Sequence, residues 1–211
     1  SEMNRAILTS ILGDGYDFFE AENGVQALQY SGTQGLPALR AWIAKRYETM
    51  GVYDVTADDI IITNGSQQAL AMLGMCMIDP GDKVLVENPT YLVALQSFHM
   101  FDPKIIPVQI NPDGIDCEKL SEAVKANPDA KFIYVIPNFQ NPPGRTWDLE
   151  RRHQFMEIVN RYEIPVVEDN PYGELRFEGE YLPALKSLDT KGLVIYLGTF
   201  SKILAPGYRI G

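Results

Sequence analysis

Six short apolar runs, rich in β-branched side chains, recur along this chain with longer stretches between them. Their apolar residues follow one another without alternation, which is typical of strands covered on both faces. We therefore predict strands at Asp59–Thr63, Lys83–Glu87, Lys104–Val108, Lys131–Ile136, Ile164–Glu168 and Leu193–Leu197.

Amphipathic stretches between these runs predict helices. Apolar side chains recur at spacings of three and four, first in Leu36, Leu39, Ile43, Tyr47 and Met50, and later in Leu149, Phe155, Ile158, Val159 and Tyr162. Asp148 is a suitable N-cap for the second helix. Strands that alternate with helices predict an α/β fold with right-handed crossovers and a mostly parallel sheet flanked by helices.

The end of the sequence indicates a change in strand direction. The Pro206-Gly207 turn leaves no room for a helical crossover, so a strand that starts near Tyr208 should run antiparallel to the preceding strand. We interpret the chain as part of a larger protein.

Charge and residue counts exclude several classes of function. The 18 basic and 28 acidic residues give a net charge of −10, which disfavours binding to nucleic acid or to an anionic membrane surface. Cys76 and Cys117 form no C-x-x-C motif, so we expect free thiols in a reducing compartment and predict a cytoplasmic protein. His99 and His153 are isolated, so we expect no metal site.

Polar residues follow five of the predicted strands. The carboxyl ends of parallel strands meet at one edge of a sheet, where ligands bind. A helix start, an aromatic ring, an amide, a carboxylate and an amine gathered there would suit a planar, phosphorylated cofactor with a cationic ring. Each residue alone has an ordinary structural explanation, such as a cap, a turn or packing. The prediction therefore depends on all of these residues occurring together, in this order along the chain.

These motifs resemble the fold-type I pyridoxal-phosphate-dependent aminotransferases. The similarity is greatest to the branch with 2-aminoadipate and kynurenine aminotransferases and the aminotransferase-like domains of certain regulators. Pro143 stands where the family more often has Thr, but Asn141 and Gly144 are kept. The resemblance is carried by Tyr30-Ser31-Gly32, Gly35-Leu36-Pro37, Leu39-Arg40, Gly65-Ser66-Gln67-Gln68, Asn88-Pro89-Thr90-Tyr91, Asn141-Pro142-Pro143-Gly144, Asp169-Asn170-Pro171-Tyr172, and Ser201-Lys202 through Gly207, Arg209 and Gly211.

The resemblance implies roles for residues around the cofactor ring. Lys202 would hold pyridoxal 5'-phosphate as a Schiff base and later move the α-proton of the substrate. Asp169 would pair with the pyridine nitrogen, and Tyr172 with Asn141 would hydrogen-bond the 3-oxygen of the ring. Tyr91 would stack on the ring face. Lys202, Asp169 and Tyr172 are thus the expected catalytic residues.

The resemblance also implies a phosphate site. Backbone N–H groups of Ser66 and Gln67 at a helix start would bind the phosphate, together with the guanidinium of Arg209. Hydroxyl groups of Thr199 and Ser201 would flank the lysine and add contacts.

Tyr30 matches a family position that reaches the phosphate of a neighbouring subunit, which implies a homodimer with shared sites; simple packing is the alternative for this residue. The implied domains are an N-terminal helical lead-in over residues 1–29, with a helix near Met3–Leu12, and a cofactor-binding large domain over residues 30–211. A C-terminal small domain would be absent.

The expected activity is the transfer of an α-amino group between an amino acid and a 2-oxo acid. Three alternatives stay open. The same residues would serve a lyase, decarboxylase or synthase, since a fold does not fix a reaction. A cofactor-dependent, effector-sensing domain of a transcriptional regulator would also share them. A fragment of the family fold would bind the cofactor without turnover.

Overall fold

The computed structural model describes residues 32–211, and residues 34–211 form one compact unit. Its centre is a six-stranded sheet of order β3-β2-β1-β4-β5-β6. All neighbouring strands are parallel except β2 and β3, which pair antiparallel at one edge. The strands are β1 (Lys83–Asn88), β2 (Lys104–Asn111), β3 (Gly114–Ile115), β4 (Phe132–Val135), β5 (Val166–Asp169) and β6 (Val194–Leu197).

Helices connect most of the strands, and local sequence explains where several of them begin. Pro at the first position suits the start of α1, because a proline there loses no helical hydrogen bond. Asp116 and Asp148 cap α4 and α5 by accepting from the N–H groups of Lys119 and Arg151. The helices are α1 (Pro37–Glu48), α2 (Ser66–Met77), α3 (Leu92–His99), α4 (Cys117–Ala126) and α5 (Leu149–Tyr162), with 3₁₀ turns at Ala57–Asp59, Leu185–Leu188 and Pro206–Tyr208.

The central strands β1, β4 and β5 are buried on both faces, as their continuous apolar runs predict. Alternate residues of β4 show this: Ile133 packs into the core beneath α4 and α5, whereas Phe132 and Tyr134 pack into the core beneath α2 and α3. This three-layer arrangement leaves the carboxyl ends of the parallel strands free to build a site. No helix within residues 32–211 is long and apolar enough to cross a membrane.

Most of the predicted elements are confirmed, with boundaries shifted by one to three residues. The strand predicted over Asp59–Thr63 is wrong, because its backbone does not pair along a neighbour. Instead, Ile62 N–H donates to the carbonyl of Gln34 at 2.9 Å, and Thr63 exchanges hydrogen bonds with Gly211. Near Tyr208, where an antiparallel strand is expected, the structure has a single antiparallel bridge, which joins Ile210 to Asn64 and not to β6. The helix predicted near Met3–Leu12 lies outside the described residues.

Candidate active site

A cleft of about 360 Å³ opens beyond the carboxyl ends of β4, β5 and β6, beside the start of α2. It brings together every predicted site residue that the structure describes; Tyr30 lies outside the described residues. The cleft is lined by Ser66, Gln67, Tyr91, Asn141, Asp169, Tyr172, Thr199, Ser201, Lys202 and Arg209, together with Val93, Ile136, Pro171 and Pro206.

A larger cavity of about 520 Å³ lies on the other side of β6, against α1. Of the predicted site residues it shares only Thr199, and it contains neither Lys202 nor Asp169. The chemistry-bearing residues therefore converge on the smaller cleft.

Asp169 is the last residue of β5 and is almost fully buried. The phenol of Tyr134, on the neighbouring strand, donates a 2.7 Å hydrogen bond to its Oδ2. Among the described residues nothing donates to the other oxygen, Oδ1, although it is buried. Burial raises the pKa of Asp169 to about 6, against the opposing effect of the Tyr134 hydrogen bond. This carboxyl group therefore has one oxygen fixed and one oxygen ready to accept.

Lys202 lies in the turn that follows β6, with its Nζ 6.0 Å from the centre of the Tyr172 ring. Thr199 holds this turn: its Oγ1 accepts from Ser201 N–H at 3.1 Å and donates to the carbonyl of Ile210 at 3.3 Å. The amine is exposed at the mouth of the cleft, where an incoming carbonyl group can reach it.

Tyr91 precedes α3 and lines the cleft together with Tyr172. Burial raises the pKa of Tyr91, and negative charge on Asp169 and Tyr172 raises it further. The Tyr91 phenol therefore stays neutral near pH 7, and its ring is available for packing against a planar ligand.

The opposite end of the cleft is electropositive. Gly65 caps α2 with φ of +70°, and no side chain within residues 32–211 caps the helix start. Because Gly65 has no side chain, the guanidinium of Arg209 can lie against it. A Cβ at this position would lie 2.7 Å from the Nη2 of Arg209. The same nitrogen donates to the carbonyl of Asn64 at 3.3 Å. Uncapped helical N–H groups beside a guanidinium make a site for an anion such as phosphate.

Asn141 reaches the cleft from the loop between β4 and α5, and Tyr91 from the loop between β1 and α3. Each loop contains a cis peptide bond, at Asn141-Pro142 and at Asn88-Pro89. These two loops thus deliver an amide and an aromatic ring from neighbouring strands of the sheet.

Sequence reasoning missed several residues that hold the site in place. Tyr134 is the partner of Asp169, yet it lies in an apolar strand and nothing local marks it. A partly buried chain of hydrogen bonds also fixes the residue after Asp169. Arg152 donates to Asn138 Oδ1 at 2.8 Å, Asn138 Nδ2 donates to Asn170 Oδ1 at 3.0 Å, and Asn170 Nδ2 donates to the Tyr196 phenol at 2.7 Å.

The residues present fit a ligand that carries an anion at one end and a cationic ring nitrogen at the other. Oδ1 of Asp169 is a buried acceptor in need of a donor, and a protonated ring nitrogen is such a donor. The start of α2 with Arg209 supplies the complementary cradle for a phosphate. Lys202 supplies an amine at the same cleft.

Comparison with known proteins decides the family, since the family model "Aminotransferase class I and II" matches residues 5–211. The chain belongs to the class I and II aminotransferase family. Its fold is that of fold-type I aminotransferases. A kynurenine aminotransferase from Pyrococcus horikoshii, solved in complex with PMP, superposes with a TM-score of 0.82 at 44% identity over 100% of this chain and 51% of its own.

Two curated relatives in the aminotransferase family are similarly close. Aromatic-amino-acid aminotransferase 1 of Thermococcus litoralis is 45% identical over 198 residues, which is 90% of this chain and 46% of the relative. The 2-aminoadipate transaminase of Thermus thermophilus is 41% identical over 192 residues, covering 90% and 47%. The chain thus spans about half the length of the aminotransferases that it matches.

Proposed function

We propose that this chain forms the cofactor-binding part of a pyridoxal-phosphate-dependent aminotransferase, which moves an α-amino group between an amino acid and a 2-oxo acid. One observation carries the proposal: a single cleft holds an amine, a buried acceptor oxygen without a donor among the described residues, and an anion cradle. Membership of the aminotransferase family supports it.

Two ends of the cleft would hold the cofactor. The guanidinium of Arg209 and the N–H groups of Ser66 and Gln67 would bind its phosphate, with Thr199 and Ser201 as hydroxyl neighbours. Bound pyridoxal phosphate supplies an electron-accepting ring that stabilises the negative charge left when the α-proton departs.

Asp169 would accept a hydrogen bond from the ring nitrogen through Oδ1 and keep that nitrogen protonated. Lys202 would take the α-proton and return it, since its amine is exposed at the mouth of the cleft. Tyr172 and Asn141 would donate to the 3-oxygen of the ring, and Tyr91 would cover one ring face. These assignments make Lys202, Asp169 and Tyr172 the catalytic residues.

A half-reaction tests this proposal. The protein is loaded with pyridoxal phosphate, mixed with a panel of aromatic, acidic and branched amino acids, and followed by absorbance and by release of the 2-oxo acid. We expect the yellow absorbance to fall with at least one donor, and Lys202→Ala to abolish the reaction. Lys191→Ala is the control, because Lys191 is an exposed lysine paired with Glu163 away from the cleft.

The same assay separates the alternatives. A lyase would release ammonia with the 2-oxo acid, and an effector-sensing domain would bind the cofactor without turnover. Release of ammonia would reject an aminotransferase, whereas binding without turnover would fit both an effector-sensing domain and a fragment of an aminotransferase. Absence of any pyridoxal phosphate binding would reject all three.

We also propose that residues 30–211 constitute the cofactor-binding domain and that it works as a homodimer. Two methionines of α2, Met72 and Met75, expose apolar surface on the helix whose start cradles the phosphate. A second copy docked on α2 would therefore lie beside the cleft. We expect Met75→Glu to weaken the homodimer, so that the molar mass of the protein measured by light scattering falls towards that of one chain. A cytoplasmic location is supported by two free cysteines, Cys76 and Cys117.

A further inference from the structure

Glu87 is a buried carboxyl group near the end of β1, only 1% exposed. Three donors converge on it. Its Oε2 accepts from Ile136 N–H at 2.8 Å and from Gln140 Nε2 at 2.9 Å, and its Oε1 accepts from the indole N–H of Trp147 at 3.0 Å. All three donors belong to the segment between β4 and α5, which carries Asn141.

Gln140 extends this connection to the second loop of the cleft. Its Nε2 also faces the carbonyl of Pro89 at 3.2 Å and Thr90 Oγ1 at 3.5 Å, immediately before Tyr91. Its Oε1 is buried and accepts no hydrogen bond from the described residues. The side-chain amide of Gln140 is therefore oriented so that its NH₂ group links both loops to Glu87, and its Oε1 has no donor among the described residues.

The three donors match the ionised form of Glu87 and oppose the effect of burial on it. No lysine, arginine or histidine of the described segment lies within ion-pairing distance of it, and burial raises its pKa to about 7. An ionised carboxylate accepts at both oxygens, whereas a neutral carboxyl or an amide turns one position into a donor. That donor would face the N–H or NH₂ groups already present, an arrangement that costs free energy in a buried site.

We infer that Glu87 is a positioning residue, which fixes Asn141 and Tyr91 in the cleft by anchoring their two loops to the end of β1. The inference rests on the proposed function for its consequence, because those two residues would contact the ring of the cofactor. Glu87 itself does not line the cleft and acts through the loops.

Hydrogen exchange of the cofactor-free protein tests the anchoring directly. We expect Glu87→Gln to speed exchange of the peptide spanning residues 138–145 by about tenfold, the effect of weakening one buried hydrogen bond to a charged group. The reporter is the backbone N–H of Gln140, which donates to the carbonyl of Arg145 at 2.7 Å. Glu163→Gln is the matched control, because Glu163 is exposed and pairs with Lys191. Unchanged exchange in Glu87→Gln would overturn the inference.

Cofactor affinity tests the consequence. We expect Glu87→Gln to raise the dissociation constant for pyridoxal phosphate about tenfold, with Glu163→Gln at the wild-type value. Gln140→Leu should have the same two effects while leaving the bonds from Ile136 and Trp147 intact, so it serves if Glu87→Gln does not fold. Faster exchange with unchanged affinity would show that Glu87 is structural only and would overturn the inference.

The two proposals fail differently. If the wild-type protein does not bind pyridoxal phosphate, the proposed function is wrong, and accelerated exchange in Glu87→Gln would still support the anchoring of the loop.

Discussion

Replacement of Tyr134 by Phe isolates one hydrogen bond at the centre of the cleft. The change removes the 2.7 Å bond to Asp169 Oδ2 and keeps the aromatic ring, which packs edge-on against Phe98 at 5.6 Å. It is the only hydrogen bond that the described residues donate to the carboxyl group of Asp169. Its loss should therefore act on the ionisation of Asp169 and little on packing.

The size of the effect follows from the structure. A buried hydrogen bond to a charged group contributes about 1.5 to 3 kcal/mol, which equals about one to two pKa units. The pKa of Asp169 is about 6, so it is mostly ionised at pH 7 in the wild-type protein. In Tyr134→Phe the ionised fraction at pH 7 should fall by about twofold to tenfold. Only the ionised form pairs with a protonated ring nitrogen, so affinity for pyridoxal phosphate should fall by the same factor.

The measurement is the ratio of mutant to wild-type dissociation constants as a function of pH. We expect a ratio of about 2 to 10 at pH 7 that approaches 1 about two pH units higher, where Asp169 is ionised in both proteins. Tyr196→Phe is the control, because that half-buried phenol accepts from Asn170 and does not touch Asp169. A ratio that does not change with pH would refute the reasoning and assign the effect to packing.

Two further predictions concern stability and the phosphate cradle. Burial raises the pKa of Glu168 to about 7 and of Asp169 to about 6, so the folded protein holds these protons more tightly than the unfolded chain. The free energy of unfolding should therefore fall by about 1 to 3 kcal/mol per group as pH rises from about 4 to 8, and a flat urea midpoint over this range would contradict it. Gly65→Ala should cost about 1 to 3 kcal/mol of stability, because φ there is +70°, and it should weaken phosphate binding, because its Cβ would displace the Arg209 guanidinium. Gly192→Ala shares a φ of +70° but has open space, so it should leave phosphate affinity unchanged.

Most of the sheet is predictable because burial on both faces leaves a direct trace in the sequence. The run that becomes β4 is apolar throughout, and all four residues of the strand are buried. The run at Asp59–Thr63 looks the same locally but does not become a strand. Pairing depends on a neighbouring backbone, and Ile62 and Thr63 instead bond with Gln34 and Gly211, which are distant in sequence. Local composition cannot report such partners.

In the candidate site too, local sequence predicts some residues and misses those that depend on partners distant in the chain. Residues such as Asp169 and Lys202 are predictable because they follow strands whose carboxyl ends meet at one edge. The roles of Tyr134 and Glu87 are not predictable from the sequence. Each residue belongs to a mostly apolar strand and acquires its role only through long-range contacts. The partner of Tyr134 is 35 positions away, and the partners of Glu87 are 49 to 60 positions away.

The central claim is that Lys202 is the amine that binds the cofactor in this cleft. Loading the protein with pyridoxal phosphate, reducing it with borohydride and mapping the modified peptide by mass spectrometry tests this claim most directly. The structure predicts modification at Lys202, with Asp169→Ala lowering its extent and Lys191→Ala leaving it unchanged. Modification at another lysine such as Lys186, or none at any lysine, would contradict the account.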